Sequence, residues 1–229
     1  MTRTVIVTGG TGGLGTAVVE AFLEAGDHVV VPWIFAKELE RFGGEREGVT
    51  LVKADLFDPA DAERVAAVAS GDPSRPLGAV VNAVGGFAMG QPVASTPFED
   101  FEAQLRLNLR PTYLVTAATF DRLKASGGGA IVCVSSRAAL KPFGGASGYC
   151  ASKAAVIAFA QAVAEEGKAH GIRCNAVLPS VIDTPANRAD MGEDAEMVPP
   201  AEIARVIRFL CSPDSAPISG AAVPVYGRA

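Results

Sequence analysis

Apolar residues recur along this chain in two rhythms. Short runs rich in Val and Ile occur at TVIVT (4–8), HVVVPW (28–33), VTLVKAD (49–55), GAVVNAV (78–84), GAIVCVSS (129–136), IRCNAVLP (172–179) and AAVPVYG (221–227). Such runs suit strands covered on both faces, where no polar side chain has to alternate outward. Between them lie longer stretches with helical spacing, at 15–26, 59–70, 97–124, 147–171 and 199–212. Gly26 marks a helix stop, and the prolines that open 199–212 mark a helix start. This alternation predicts an α/β fold, a doubly wound parallel sheet of about seven strands with helices on both faces. No repeat, low-complexity tract or interdomain linker interrupts it, so residues 1–229 form one domain. The Gly- and Pro-rich pieces at 85–97, 137–147 and 183–200 follow strands four, five and six. They fall at the carboxyl edge of the sheet, where ligands bind in such folds.

The stretch TGGTGGLG, Thr8 to Gly15, sits between the first strand and the first helix and holds five glycines in eight positions. Glycine costs backbone entropy, so the cluster implies a turn that side chains would obstruct. A helix start offers unpaired N–H groups and a positive dipole end, which hold an anionic diphosphate when nothing blocks the approach. In this reading Gly9 makes the tight turn, Gly13 opens the approach and Gly15 lets helix and strand pack closely.

Composition narrows the classes. The formal charge is −5 and no Lys/Arg run occurs, which argues against a nucleic-acid partner. No apolar stretch reaches membrane-spanning length, and the first residues lack the sections of a signal peptide, so the expected compartment is the cytoplasm. Cys133, Cys150, Cys174 and Cys211 fit no metal spacing and read as small, reduced, buried residues; no metal is expected. His28 and His170 flank predicted elements and read as structural or solvated.

The Thr-Gly-x-x-x-Gly-x-Gly spacing, Ser136, Tyr149 and Lys153 of Tyr-Cys-Ala-Ser-Lys, and Asn108 together resemble the short-chain dehydrogenase/reductase family, from about residue 4 to 227. The resemblance implies a Rossmann-type fold, an NAD or NADP cofactor, and interconversion of a ketone or aldehyde with an alcohol by hydride transfer. It implies a catalytic tetrad of Asn108, Ser136, Tyr149 and Lys153. Tyr149 would exchange a proton with the reacting oxygen and Ser136 would hydrogen-bond that oxygen. Lys153 would also hold the ribose hydroxyls, and Asn108 would anchor a relay water. The cofactor contacts implied are Gly9, Thr11, Gly12, Gly13, Leu14, Gly15, Trp33, Asp55, Leu56, Asn82, Ala83, Val84, Tyr149, Lys153, Pro179, Ile182 and Thr184. Asn82-Ala-Val-Gly85 stands where the family has Asn-Asn-Ala-Gly, and Pro179-Ser180 where it has Pro-Gly. Relatives assemble through the two long helices and the last strand, which implies a homodimer or homotetramer; Pro224 disfavours a central position for that strand.

The residue types suit this chemistry. Tyr149 and Lys153 are four apart, so on a helix they share a face. At about 4 Å and an effective dielectric of ~20, an ammonium favours the phenolate by roughly 4 kcal/mol. At about 1.36 kcal/mol per unit, that lowers a tyrosine pKa by up to roughly 3 units. Two rival readings stand beside this one: a ketoacyl reductase acting on a carrier protein with NADPH, and a dinucleotide-binding regulator without turnover. The acidic balance and the absence of a cation at Gly12 weigh against the first, and the intact tetrad against the second.

Cofactor choice is read at the end of the second strand, where a carboxylate repels a 2′-phosphate. Trp33 and Ile34 stand there, so the reading leans to NADP. Lys37 and Arg41 follow on a helical stretch. Phe87, Met89, Phe143 and Val181 on the rim suggest an apolar or aromatic carbonyl substrate. Arg137 binds a substrate anion or belongs to a subunit interface. The short segment between Thr184 and Pro199 argues against a large lid.

Overall fold

The computed structural model describes residues 3–192 and 194–228. The described residues form a seven-stranded sheet in which every pairing is parallel. The strands are β1 (Thr4–Thr8), β2 (His28–Trp33), β3 (Val49–Lys53), β4 (Leu77–Asn82), β5 (Gly129–Val134), β6 (Ile172–Pro179) and β7 (Ala222–Val225), in the order β3-β2-β1-β4-β5-β6-β7. The helices are α1 (Gly13–Glu24), α2 (Ala36–Phe42), α3 (Pro59–Ala69), α4 (Phe98–Ala125), α5 (Ser147–Gly167), α6 (Pro185–Met191) and α7 (Pro200–Leu210).

Side chains on a strand alternate between faces, and here both faces are apolar. Ile6, Val30, Val80, Ile131, Cys174 and Leu178 pack against α3, α4 and α5 through residues such as Val65, Val115 and Val156. Val5, Val7, Val29, Val31, Val81 and Val132 pack on the opposite face against α1 and α7, through Val18, Phe22, Ile203 and Ile207. The unbroken Val/Ile runs follow from this double cover. All four cysteines are free and buried: Cys133, Cys174 and Cys211 in this cover, Cys150 in a small cluster with Ala138 and Ala146.

Two prolines lie within strands without breaking the sheet. The missing N–H of Pro32 falls on the β1 side, by alternation from His28, whose N–H bonds Arg3. The β1–β2 pairing has already ended at Ile6 opposite Val30, so no ladder bond is lost. Pro224 lies in β7, the edge strand, as its chemistry requires. At the sheet's other end, Arg3 and Arg173 donate to the Cys211, Leu210 and Ser212 carbonyls, neutralising the negative end of α7.

One helix was expected without bounds, and another was not anticipated. α2 follows β2 directly and buries Phe42. α6 lies within the stretch read as loop: Thr184 caps it by accepting from the Asn187 N–H, with Pro185 at its first position. Predicted strand ends overran in β3, β4, β5 and β7: Ala54, Asp55, Ala83, Val84 and Ser135 fall just beyond the strands and line the carboxyl edge, while Ser136 caps the turn that follows β5. The order reverses across β1, whose neighbours are β2 and β4, and a crevice opens at that point.

Candidate active site

A cleft of about 690 Å³ runs along the carboxyl edge over the β1–β4 reversal. One wall is the glycine loop. Gly9 adopts φ +65°, and its carbonyl accepts from Gly12 N–H at 2.9 Å, closing the turn. A Cβ on Gly15 would overlap that same carbonyl, so the turn and the first turn of α1 pack only without one. α1 has no side-chain cap and no acidic residue in its first turn. Its N–H groups therefore open toward the cleft beside Gly12, Gly13 and Leu14, a cradle that fits a diphosphate.

The opposite wall comes from β4, β5 and α5. Tyr149 and Lys153, one turn apart on α5, both line the cleft, with Ala83, Val84, Gly85, Val134 and Ser135. Phe87 packs edge-on against the Tyr149 ring at 5.0 Å between centroids and meets Phe143 at 6.3 Å. Lys153 is 6% exposed, and its Nζ donates to the Val134 carbonyl at 3.1 Å. Burial holds the Lys153 ammonium down to about 8. Burial also pushes the Tyr149 phenol above its usual value, against the Ser136 hydroxyl, which favours the phenolate. The acidification of Tyr149 expected from the lysine is therefore not present in this arrangement. The ammonium is spent on the Val134 carbonyl, 5.9 Å from the phenol ring centre, and desolvation penalises both charged forms.

Asn108 lies behind this wall, 1% exposed. Its Nδ2 reaches Gly86 O, Gln104 O and Ser152 Oγ, each at 3.1 Å, and its Oδ1 accepts from Gly86 N–H at 3.0 Å. Ser152 in turn donates to the Tyr149 carbonyl at 2.7 Å. A Cβ on Gly85 would come 2.6 Å from Asn108 Oδ1 and 3.0 Å from Lys153 Nζ, so the chain after β4 passes between the two polar groups only as glycine. Ser136 caps the 3-10 turn that follows β5 by accepting from Ala138 N–H at 3.2 Å.

The cleft gathers Gly9, Thr11, Gly12, Gly13, Leu14, Gly15, Trp33, Asp55, Leu56, Ala83, Val84, Tyr149, Lys153 and Ile182 of the anticipated contacts. Three anticipated contacts do not line it. Asn82 is buried under the sheet edge and donates to Thr116 Oγ1 at 3.0 Å, tying β4 to α4. Pro179 ends β6 opposite Val225, within the sheet. Thr184 caps α6 instead, and Asn187 of that helix reaches the cleft. Arg137 lies over the Tyr226 ring, 5.2 Å from its centre. His28 bonds Thr50 and His170 meets the edge of Phe120, both structural parts.

Sequence reasoning missed Glu38 and Ser152. Glu38 lines the cleft from α2 and accepts from Thr11 Oγ1 at 3.1 Å. Its only signal was its place beside Lys37 and Arg41 on a helix that had not been bounded. Ser152 was visible inside the Tyr-Cys-Ala-Ser-Lys motif, but its bond to Asn108 depends on how α4 meets α5.

A family model described as short chain dehydrogenase matches residues 3–194. The chain belongs to the short-chain dehydrogenase/reductase family. It is 32% identical to the 2-(R)-hydroxypropyl-CoM dehydrogenase of Xanthobacter autotrophicus, across 99% of this chain and 98% of that protein. It is 35% identical to the (3R)-3-hydroxyacyl-CoA dehydrogenase of Mus musculus, across 81% of this chain and 75% of that one. Among solved structures, ElxO with NADP bound superposes with a TM-score of 0.90 at 26% identity, covering 99% of this chain and 98% of that one. This short-chain dehydrogenase/reductase is therefore an NAD(P)-dependent oxidoreductase acting between carbonyl and alcohol on a small-molecule substrate. Among the described residues no helix is long and apolar enough to cross a membrane, and no His/Cys/Asp/Glu group is arranged to hold a metal ion.

Proposed function

We propose that Tyr149 is the general acid/base of a reaction that interconverts an apolar or aromatic ketone or aldehyde with its alcohol. The observation that carries this reading is the placement of Tyr149 and Lys153 on the cleft wall facing the glycine loop, with the Ser136 hydroxyl beside the phenol. When bound, the nicotinamide dinucleotide supplies or accepts the hydride, and the residues of this chain manage position and protons. Gly12, Gly13 and Leu14 hold its diphosphate on the α1 N-terminus, while Trp33, Asp55 and Leu56 line the adenosine end. The raised Tyr149 pKa keeps the phenol protonated at neutral pH, as the acid of a reduction must be. Ser136 donates to the same carbonyl oxygen and offsets the charge that develops there. Lys153, which donates to the Val134 carbonyl, would bond the ribose hydroxyls, and its positive charge would favour the phenolate.

Asn108 acts by positioning. Its Nδ2 already meets three acceptors, and its Oδ1 one donor, which leaves a single lone pair for a relay water. It fixes the Gly86 backbone on one side and, through Ser152, the Tyr149 backbone on the other. The apolar ring of Phe87 beside the phenol, with Phe143 packed against it, selects the substrate's flanking group. The test is Tyr149→Phe, assayed for NAD(P)H binding by nicotinamide fluorescence and for turnover across a panel of aliphatic and aromatic ketones and aldehydes. Binding persists while turnover falls by about 10²–10⁴-fold. Turnover near that of the native protein rejects the mechanism.

A further inference from the structure

We propose that Glu38 sets the choice between the two nicotinamide dinucleotides and disfavours the one that carries a 2′-phosphate. The inference rests on the reading of the cleft as the dinucleotide site. The end of β2 is where the adenosine ribose of a dinucleotide is recognised in such sheets. Trp33, Ile34 and Phe35 stand there and carry no charge. The charge is supplied instead by the next helix. Glu38 projects from α2 into the same cleft, and its Oε2 accepts from Thr11 Oγ1 at 3.1 Å. Thr11 is buried in the glycine loop, so the loop that holds the diphosphate also holds the carboxylate.

Among the described residues, the cleft lining has three charged side chains, Glu38, Asp55 and Lys153, and Lys153 lies at the Tyr149 end. Among those residues, the glycine-loop end is thus lined by two carboxylates and no cation. Lys37 and Arg41, beside Glu38 on α2, are exposed and do not line the cleft. Lys53, whose Nζ lies 5.8 Å from the centre of the Trp33 ring, does not line it either. A ribose hydroxyl donates a hydrogen bond to a carboxylate, whereas a phosphate offers only acceptors and repels it. This carboxylate from outside the strand weighs against the lean toward NADP drawn from Trp33 and Ile34.

The experiment is calorimetric titration of the native protein, Glu38→Gln and Glu38→Ala with NADH and with NADPH. The native protein binds NADH about tenfold or more tightly than NADPH, the scale of one like-charge contact. Both variants tighten NADPH by about tenfold and leave NADH no tighter, so the preference collapses. Glu38 is partly exposed on a helix surface, which leaves both variants free to fold. Equal or tighter binding of NADPH by the native protein overturns the proposal, as does a preference unchanged in both variants. Failure of both dinucleotides to bind overturns the cleft reading itself, a different result from a preference that does not move.

Discussion

Replacing Lys153 with Met separates what this residue costs the fold from what it gives the site. The ammonium is almost fully buried, its Nζ donates to the Val134 carbonyl, and its pKa stands at about 8 against a usual 10.5. Between those values the unfolded chain binds a proton that the folded chain does not, so stability rises with pH across that window. Below pH 8 the full penalty of burying the charge is present. At about 1.36 kcal/mol per pH unit, the gap corresponds to about 3 kcal/mol near pH 7. By the same relation about 1 kcal/mol of it remains at pH 10. Methionine removes the penalty and also the hydrogen bond to Val134, which is worth roughly 1.5–3 kcal/mol with a charged donor. The two nearly cancel at pH 7, leaving the Met variant equal to or slightly more stable than the native protein.

The neutral amine still donates at high pH, so the firm quantity is the double difference. The native protein gains about 2 kcal/mol on the Met variant between pH 7 and pH 10. Urea unfolding of both proteins at both pH values, without cofactor, measures it, because groups elsewhere titrate alike and subtract out. A stability difference that stays constant within about 0.5 kcal/mol across the two pH values refutes the argument. The Lys153 ammonium would then carry no burial penalty. The Met variant is expected to lose turnover whether or not it is more stable, since the charge serves the site and not the core.

Ultraviolet titration of phenolate absorbance, native minus Tyr149→Phe and without cofactor, gives a midpoint above the ordinary tyrosine value of 10, because burial resists ionisation. The share of stability held by the neutral phenol is complete below that pH and is lost as pH climbs toward the folded value; a midpoint below the ordinary value contradicts the arrangement of Lys153 described above. Phe22→Ala empties a fully buried position between α1 and the sheet. It lowers unfolding stability by about 3–5 kcal/mol in urea. A loss under about 1 kcal/mol would show that the α1–α7 face repacks freely.

The Val/Ile strands and the helical stretches between them could be read from the chain because both faces of the sheet are covered, so polarity never masks the pattern. Boundaries were harder. Residues 54–55, 83–84 and 135 look like strand by composition, yet they fall beyond the strand ends and line the cleft. α2 could not be bounded and α6 was overlooked because each has seven residues, too few to show helical periodicity. Thr184-Pro185 nevertheless carried a legible start signal, a side-chain cap followed by proline. The glycine loop and the spacing of Tyr149 and Lys153 were legible because one local element carries each.

What the sequence determined by itself is whatever local order encodes: the alternation of strands and helices, the turn that only glycine permits at Gly9, and the shared helical face of Tyr149 and Lys153. What only tertiary structure decided is what distant segments do to one another. Asn108 meets Gly86 and Ser152 because α4 lies against α5 and the chain after β4. Lys153 loses its ammonium's usual pKa to burial, and Tyr149 is raised instead of lowered, because desolvation depends on everything packed around a group. Glu38 enters the cleft because Thr11, twenty-seven residues earlier, holds it there. Charge and solvation act through space, and no local pattern along the chain encodes which charges the fold brings within reach.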